Sequence, residues 1–86
     1  MELSENVQGY IAQQRRRIDE LDARLIETIR ARREVSRNIQ RHRTEARGPR
    51  SDTPRENRII EKYGEELGGR QGVSLAMEVL KACRLP

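Results

Sequence analysis

Between Gly9 and Gly48 the chain contains neither glycine nor proline. Apolar side chains return with the helical period throughout this stretch. It predicts one continuous helix from about residue 7 to about residue 46. At 1.5 Å per residue its core of some 38 residues would be a rod of about 57 Å. A compact domain of 86 residues has a radius of gyration of only about 12 Å. What remains of the chain cannot cover such a rod, so a second copy is expected to do so in an intertwined homodimer.

The rod has an unusual face. Counted in alternating steps of three and four, it reads Arg15, Ile18, Asp22, Leu25, Ile29, Arg32, Ser36, Ile39 and Arg43. A stripe carrying Ile, Leu, Ile and Ile belongs against a partner surface. Arginines on such a stripe need an anion, because an unpaired charge removed from water is costly. Arg32 and Arg43 stand 11 residues apart, about 16 Å along the axis, so two extended arginines can close on a small ligand between them. Arg15 lies roughly 26 Å from Arg32. It could join that site only from a second helix running the other way.

Charge distribution agrees. From Arg30 to Arg58 there are ten arginines against four acids, a larger excess than the +4 of the whole chain. This centre is built to attract an anion.

Beyond the rod, "RGPRSDTP" (47–54) gathers the helix breakers and reads as a loop. "TPRE" then reads as a helix start, with Thr53 as N-cap, Pro54 first in the helix and Glu56 closing a capping box. This second helix, about 54–67, carries Ile59, Ile60, Tyr63 and Leu67 on one side and stops at Gly68-Gly69. A third, about 72–84, is apolar around most of its circumference and should be well buried. No strand signal and no internal repeat is present. The expectation is an all-α, three-helix subunit forming one domain over residues 1–86.

Several chemistries are poorly served. His42 is the only histidine and reads as a surface residue. Cys83 is the only cysteine, which excludes an intramolecular disulfide and fits a reducing compartment. It has no clear histidine partner and fits packing in the third helix. Metal-ligand spacing and a glycine-rich phosphate loop are both missing. Ser36 has no base placed to activate it. No stretch reads as a signal peptide or a membrane span, so a cytoplasmic protein is expected. What remains is a set of arginines with Asp52, Arg55 and Glu56 at the start of the second helix. Such a set can hold a small polyanion in a reactive conformer and stabilise charge that develops in a transition state. A unimolecular rearrangement suits it.

These residues resemble the all-helical chorismate mutases of the AroQ type. "RRRIDELDARLIETIRARREVSRNIQRHR" is similar to that family's first helix, with its R-x-x-I-D-x-L-D opening and R-R-x-x-V centre. "DTPREN" is similar to the D-x-x-R-E that begins its second. The ending "GGRQGVSLAMEVLKACR" resembles the short actinobacterial subclass. The resemblance runs from about Ile11 to Arg84.

It implies an intertwined dimer with two shared active sites, no cofactor and no metal, and the Claisen rearrangement of chorismate to prephenate. Arg15 from one subunit and Arg32 from the other would hold the substrate carboxylates. Arg43 would contact a carboxylate and the ether oxygen, which gains charge as the bond breaks. Asp52 and Glu56 would lie near the ring hydroxyl with Arg55 supporting them, and Ser36 and Ile39 would line the pocket. Arg15, Arg32, Arg43 and Glu56 would be the catalytic groups.

The chain also departs from the family. Members with a long third helix place a Gln near its end against the ether oxygen, and ending at Pro86 this chain is expected to lack that donor. The loss is worth about 3 kcal/mol in a related oxyanion context. The actinobacterial subclass gains activity when bound to a DAHP synthase, the first enzyme of the shikimate pathway, through its C-terminal tail. Here "CRLP" differs from the Gly-Arg-rich tail of those members, so a DAHP synthase is a candidate partner.

Three other readings stay open. On the same fold, 4-amino-4-deoxychorismate mutase or isochorismate pyruvate lyase would act on close analogues. A basic helical nucleic-acid binder fits a pI near 10.0. However, Tyr10 and Tyr63 are the only aromatic residues and support base stacking poorly. A pure dimerisation module would pair the stripe arginines with Asp22, Glu27 and Glu34. The favoured reading involves neither nucleic acid nor membrane.

Overall fold

The structure is a computed structural model that describes residues 4–84, and it consists of three α-helices: α1 (Glu5–Glu45), α2 (Thr53–Leu67) and α3 (Gly69–Arg84). No helix among these residues is long and apolar enough to cross a membrane.

The helix α1 begins two residues before the expected start. Ser4 supplies the cap, its hydroxyl accepting from the Val7 N–H at 3.3 Å, so the first turn is satisfied ahead of Gly9. Its 41 residues make a rod of about 61 Å. This rod sets the dimensions of the molecule, 63 × 25 × 17 Å. The radius of gyration, 18.5 Å, far exceeds that of a compact chain of this length. At the far end the Ala46 N–H still donates to the His42 carbonyl. Arg47 then takes a left-handed conformation with φ 57°, and the Gly48 N–H donates back to the Arg43 carbonyl at 2.7 Å.

One expectation about α2 is corrected. Its N-cap is Asp52 and not Thr53: Asp52 Oδ1 accepts from the Arg55 N–H at 3.1 Å. Thr53 and Pro54 then occupy the first helical positions. The position that would close a capping box falls on Arg55, so the Glu56 carboxylate is released for another partner. The start of α3 is also corrected, from about residue 72 to Gly69. Gly68 and Gly69, with φ of 92° and 44°, reverse the chain at once without a loop.

The helix α3 packs against both α1 and α2, and the latter two do not touch. Its inward side is Gly72, Ala76, Leu80 and Cys83, all buried. The α2–α3 crossing is close because both helices lack side chains there. A Cβ on Gly72 would fall 2.9 Å from the Tyr63 carbonyl carbon, and one on Gly64 would fall 3.1 Å from Val73 Cγ2. The third helix is less covered than expected: Leu75 and Met77 are exposed, as is Leu67 at the end of α2. Ile59, Ile60 and Tyr63 are half-buried.

Neither α1 nor α2 contains a fully buried residue. Ile18, Leu21, Leu25, Ile26, Val35 and Ile39 on α1 are between 45% and 57% exposed. An apolar face of that extent, left to solvent, has the character of an interaction surface.

The Gly72 crossing is testable. Gly72→Ala forces overpacking against backbone, which cannot rotate away, and should lower the Tm by about 5 °C or more. An unchanged melting curve would show that α2 and α3 pass further apart than 2.9 Å implies.

Candidate functional site

The expected site residues separate into two groups. Arg32, Ser36 and Arg43 are half-buried on the C-terminal part of α1, with the more exposed Ile39 between them on the same face. Helical spacing places Arg32 and Arg43 about 16 Å apart. Arg15 is exposed on the N-terminal part of the same rod. It lies 17 residues, about 26 Å, from Arg32, and the subunit does not bring it to the others.

An open groove of about 470 Å³ runs along the end of α1, lined by Val35, Ile39, His42, Arg43, Ala46 and Gly48 among others. Arg43 crosses from this groove to the loop, where its Nη1 donates to the Arg50 carbonyl at 3.2 Å. His42 Nδ1 donates to the Asn38 carbonyl at 3.0 Å and is thereby tied to its own helix.

Ion pairing distinguishes the stripe from its flanks. Glu27 pairs with Arg30 at 3.8 Å, and Glu34 with Arg37 at 3.6 Å and Arg41 at 3.5 Å. Arg41 is further held by the Asn38 side chain. These are exposed pairs that tidy the solvent face and contribute little to stability. Among the described residues, Arg15, Arg32 and Arg43 have no acidic partner within the subunit. The acids Glu27 and Glu34, which a pure dimerisation module would give to the stripe, are already paired with the flanks. The stripe arginines keep their anion-binding capacity.

Sequence reasoning missed two features here. Arg33 Nε is buried without a hydrogen-bond partner, a second unused donor beside Arg32. Burial of a single side-chain atom depends on tertiary packing, so the local pattern could not reveal it. The other feature concerns Glu56. Asp52 is exposed and uses one oxygen as the α2 cap, and Arg55 contributes its backbone N–H to that cap. Support for Glu56 comes from elsewhere: Arg84, at the end of α3, donates from Nη2 to Glu56 Oε2 at 2.8 Å. Arg55 was expected in this role, and it forms no hydrogen bond with the Glu56 side chain. The pair joins residues 28 apart, which no local spacing signals.

Among the described residues no three His, Cys, Asp or Glu side chains gather into a metal-holding group. Cys83 is buried with a free thiol on the inward side of α3. The chemistry offered is cationic and hydrogen-bonding, presented from helices that fix each position. The expected tail difference at Leu85-Pro86, and the place of the C-terminal Gln, lie outside the described residues.

Comparison with known proteins identifies the family of the chain. An intracellular chorismate mutase of Mycolicibacterium smegmatis is 44% identical over 70 residues, covering 81% of this chain and 66% of that protein. The chain thus spans about two thirds of the length of this curated relative. Among solved structures it is similar to a chain from a non-covalent complex of DAHP synthase and chorismate mutase from Corynebacterium glutamicum with a bound transition-state analogue. The TM-score is 0.85 at 29% identity, covering 91% of this chain and 93% of that one. The profile of the chorismate mutase type II family matches residues 14–82, and the chain belongs to that family.

Proposed function

We propose that the protein is a chorismate mutase, an isomerase that converts chorismate to prephenate for phenylalanine and tyrosine synthesis. The observation that carries this reading is the pair Arg32 and Arg43, half-buried on one face of α1 with no acid of their own subunit to neutralise them. Chorismate brings two carboxylates, and guanidinium groups bind carboxylates through paired charge-assisted hydrogen bonds.

The reaction needs no proton transfer and no covalent intermediate. The ether C–O bond breaks as a C–C bond forms between the enolpyruvyl methylene and the ring, in one cyclic movement of electrons. An enzyme accelerates it by holding the folded conformer and stabilising charge on the ether oxygen. Arg32 grips a carboxylate and restrains the side chain over the ring. Arg43 faces the ether oxygen and is steadied by the Arg50 carbonyl. Ser36 and Ile39 shape the wall between them, while Asp52 and Glu56 receive the ring hydroxyl.

The site is completed by a second copy. The exposed Ile18, Leu21, Leu25 and Ile26 give α1 an apolar face to bury. An antiparallel partner would bring its Arg15 back across the 26 Å that separate it from Arg32 in one subunit, a span of about 17 helical residues. The work of such a dimer in the cytoplasm is supported by the naming of the M. smegmatis relative as intracellular. A DAHP synthase as partner is supported by the likeness to a chain of the C. glutamicum complex.

Purified protein should consume chorismate and yield prephenate, followed by loss of the substrate's ultraviolet absorbance and identification of the product. Arg32→Ala should reduce this rate by about 100-fold or more while the helical content stays unchanged. Full activity in that variant would remove the assigned site. Turnover of only the amino or iso form of chorismate would keep the fold and change the substrate.

Arg43→Lys should retain part of the activity, since the charge remains and the fork is lost. Loss as complete as in Arg43→Ala would mean that the two-pronged contact is indispensable. Shared sites predict complementation: inactive Arg15→Ala and Arg32→Ala chains, unfolded and refolded together, should regain activity in mixed dimers carrying one intact site each. Mixtures that stay inactive would place Arg15 outside the site.

A further inference from the structure

The single ion pair that joins two helices among the described residues is Arg84–Glu56. It links the last turn of α3 to the first turn of α2. We infer that Arg84 is a positioning residue: its guanidinium holds the Glu56 carboxylate in the orientation that receives the substrate's ring hydroxyl. The inference rests on the proposed role of Glu56 at that hydroxyl and adds a residue to it.

The geometry separates positioning from scaffolding. Arg84 Nη2 engages only Oε2 of Glu56, at 2.8 Å. Oε1 has no hydrogen-bond partner among the described residues and stays open as an acceptor. A glutamate has three side-chain torsions, and among the described residues Arg84 supplies the one hydrogen bond and ion pair that orients this carboxylate. The Glu56 side chain is 26% exposed and that of Arg84 is 60% exposed. An ion pair with one member so open to water adds little to folding stability. Its consequence is orientation: one oxygen is pinned and the other presented. Arg55 and Arg58 lie on the same helix, but neither forms a hydrogen bond with this carboxylate, so they do not duplicate the contact.

The test is a kinetic double-mutant cycle on chorismate with wild type, Arg84→Ala, Arg84→Lys, Glu56→Ala and the double alanine variant. Tm and helicity are measured for each. Arg84→Ala should lower kcat/KM about 10-fold with an almost unchanged Tm, and Arg84→Lys should recover most of the loss. In the Glu56→Ala background, removing Arg84 should change the rate by less than about 2-fold, since no carboxylate is left to orient. An Arg84→Ala enzyme as fast as wild type overturns the inference. So does an equal loss in both backgrounds, or a loss that tracks a lowered Tm, because each assigns Arg84 to scaffolding or to none of this. If the wild type leaves chorismate untouched, the functional reading itself fails and takes this inference with it, a result distinct from any failure at Arg84 alone.

Discussion

Length without coverage is the constraint on which the rest of this structure depends. A helix of 41 residues has far more side than two helices of 15 and 16 residues can pack against. The third helix packs against one part of it, and Ile29, Arg32, Arg33, Ser36, Gln40 and Arg43 form a half-buried run along the rod. Over the preceding turns Ile18, Leu21, Leu25 and Ile26 remain about half in water. Burying the rest of each is worth about 1 kcal/mol, so a second rod laid along this face gains several kcal/mol per chain. The same incompleteness that makes a lone subunit marginal sets the geometry of the proposed shared site.

That geometry explains the placing of charge on a face that otherwise reads as core. An arginine on the outside of a helix finds a glutamate one or two turns away, as Arg30 and Arg37 do at one turn and Arg41 at two. An arginine on the inward stripe has no such neighbour and pays for desolvation unless an anion arrives. Arg32 and Arg43 stand in that position, with the buried, unpartnered Arg33 Nε adding to the local demand. A dianionic ligand relieves it, and binding energy of this origin is available for holding a reactive conformer.

How far the sequence revealed all this differs from element to element. The rod was legible because an unbroken helical period with no glycine or proline leaves no other structure, and its ends fell within two residues of expectation. The Ser4 cap lies outside the apolar period that marks the rod, because a cap is set by one hydroxyl and one N–H rather than by a repeating pattern. Asp52 replaced Thr53 as the cap of α2 because both are capping residues and adjacent, and the choice depends on how the loop from Arg47 arrives. The early start of α3 depends on two consecutive positive φ angles, which a Gly-Gly pair permits but does not require. The shared half-buried face of Arg32, Ser36 and Arg43 was legible from spacing. The Arg84–Glu56 pair was not, since it is made by the α2–α3 crossing that Gly64 and Gly72 allow.

That crossing ties stability to the proposed chemistry. Two glycines bring α2 and α3 close enough for backbone to touch backbone, so the angle between the helices has little freedom. The angle in turn decides where the last turn of α3 ends relative to the first turn of α2, which is where Arg84 meets Glu56. A larger residue at Gly72 would therefore do more than overpack the crossing: by spreading the helices it would also draw the guanidinium away from the carboxylate. A reaction that needs only a held conformer and a few fixed charges has no chemical step to compensate for misplacement, so its rate depends on positions alone. For this reason the close helix packing, the long rod and the interhelical ion pair belong to one design, in which rigid helices hold each charged group at a fixed place.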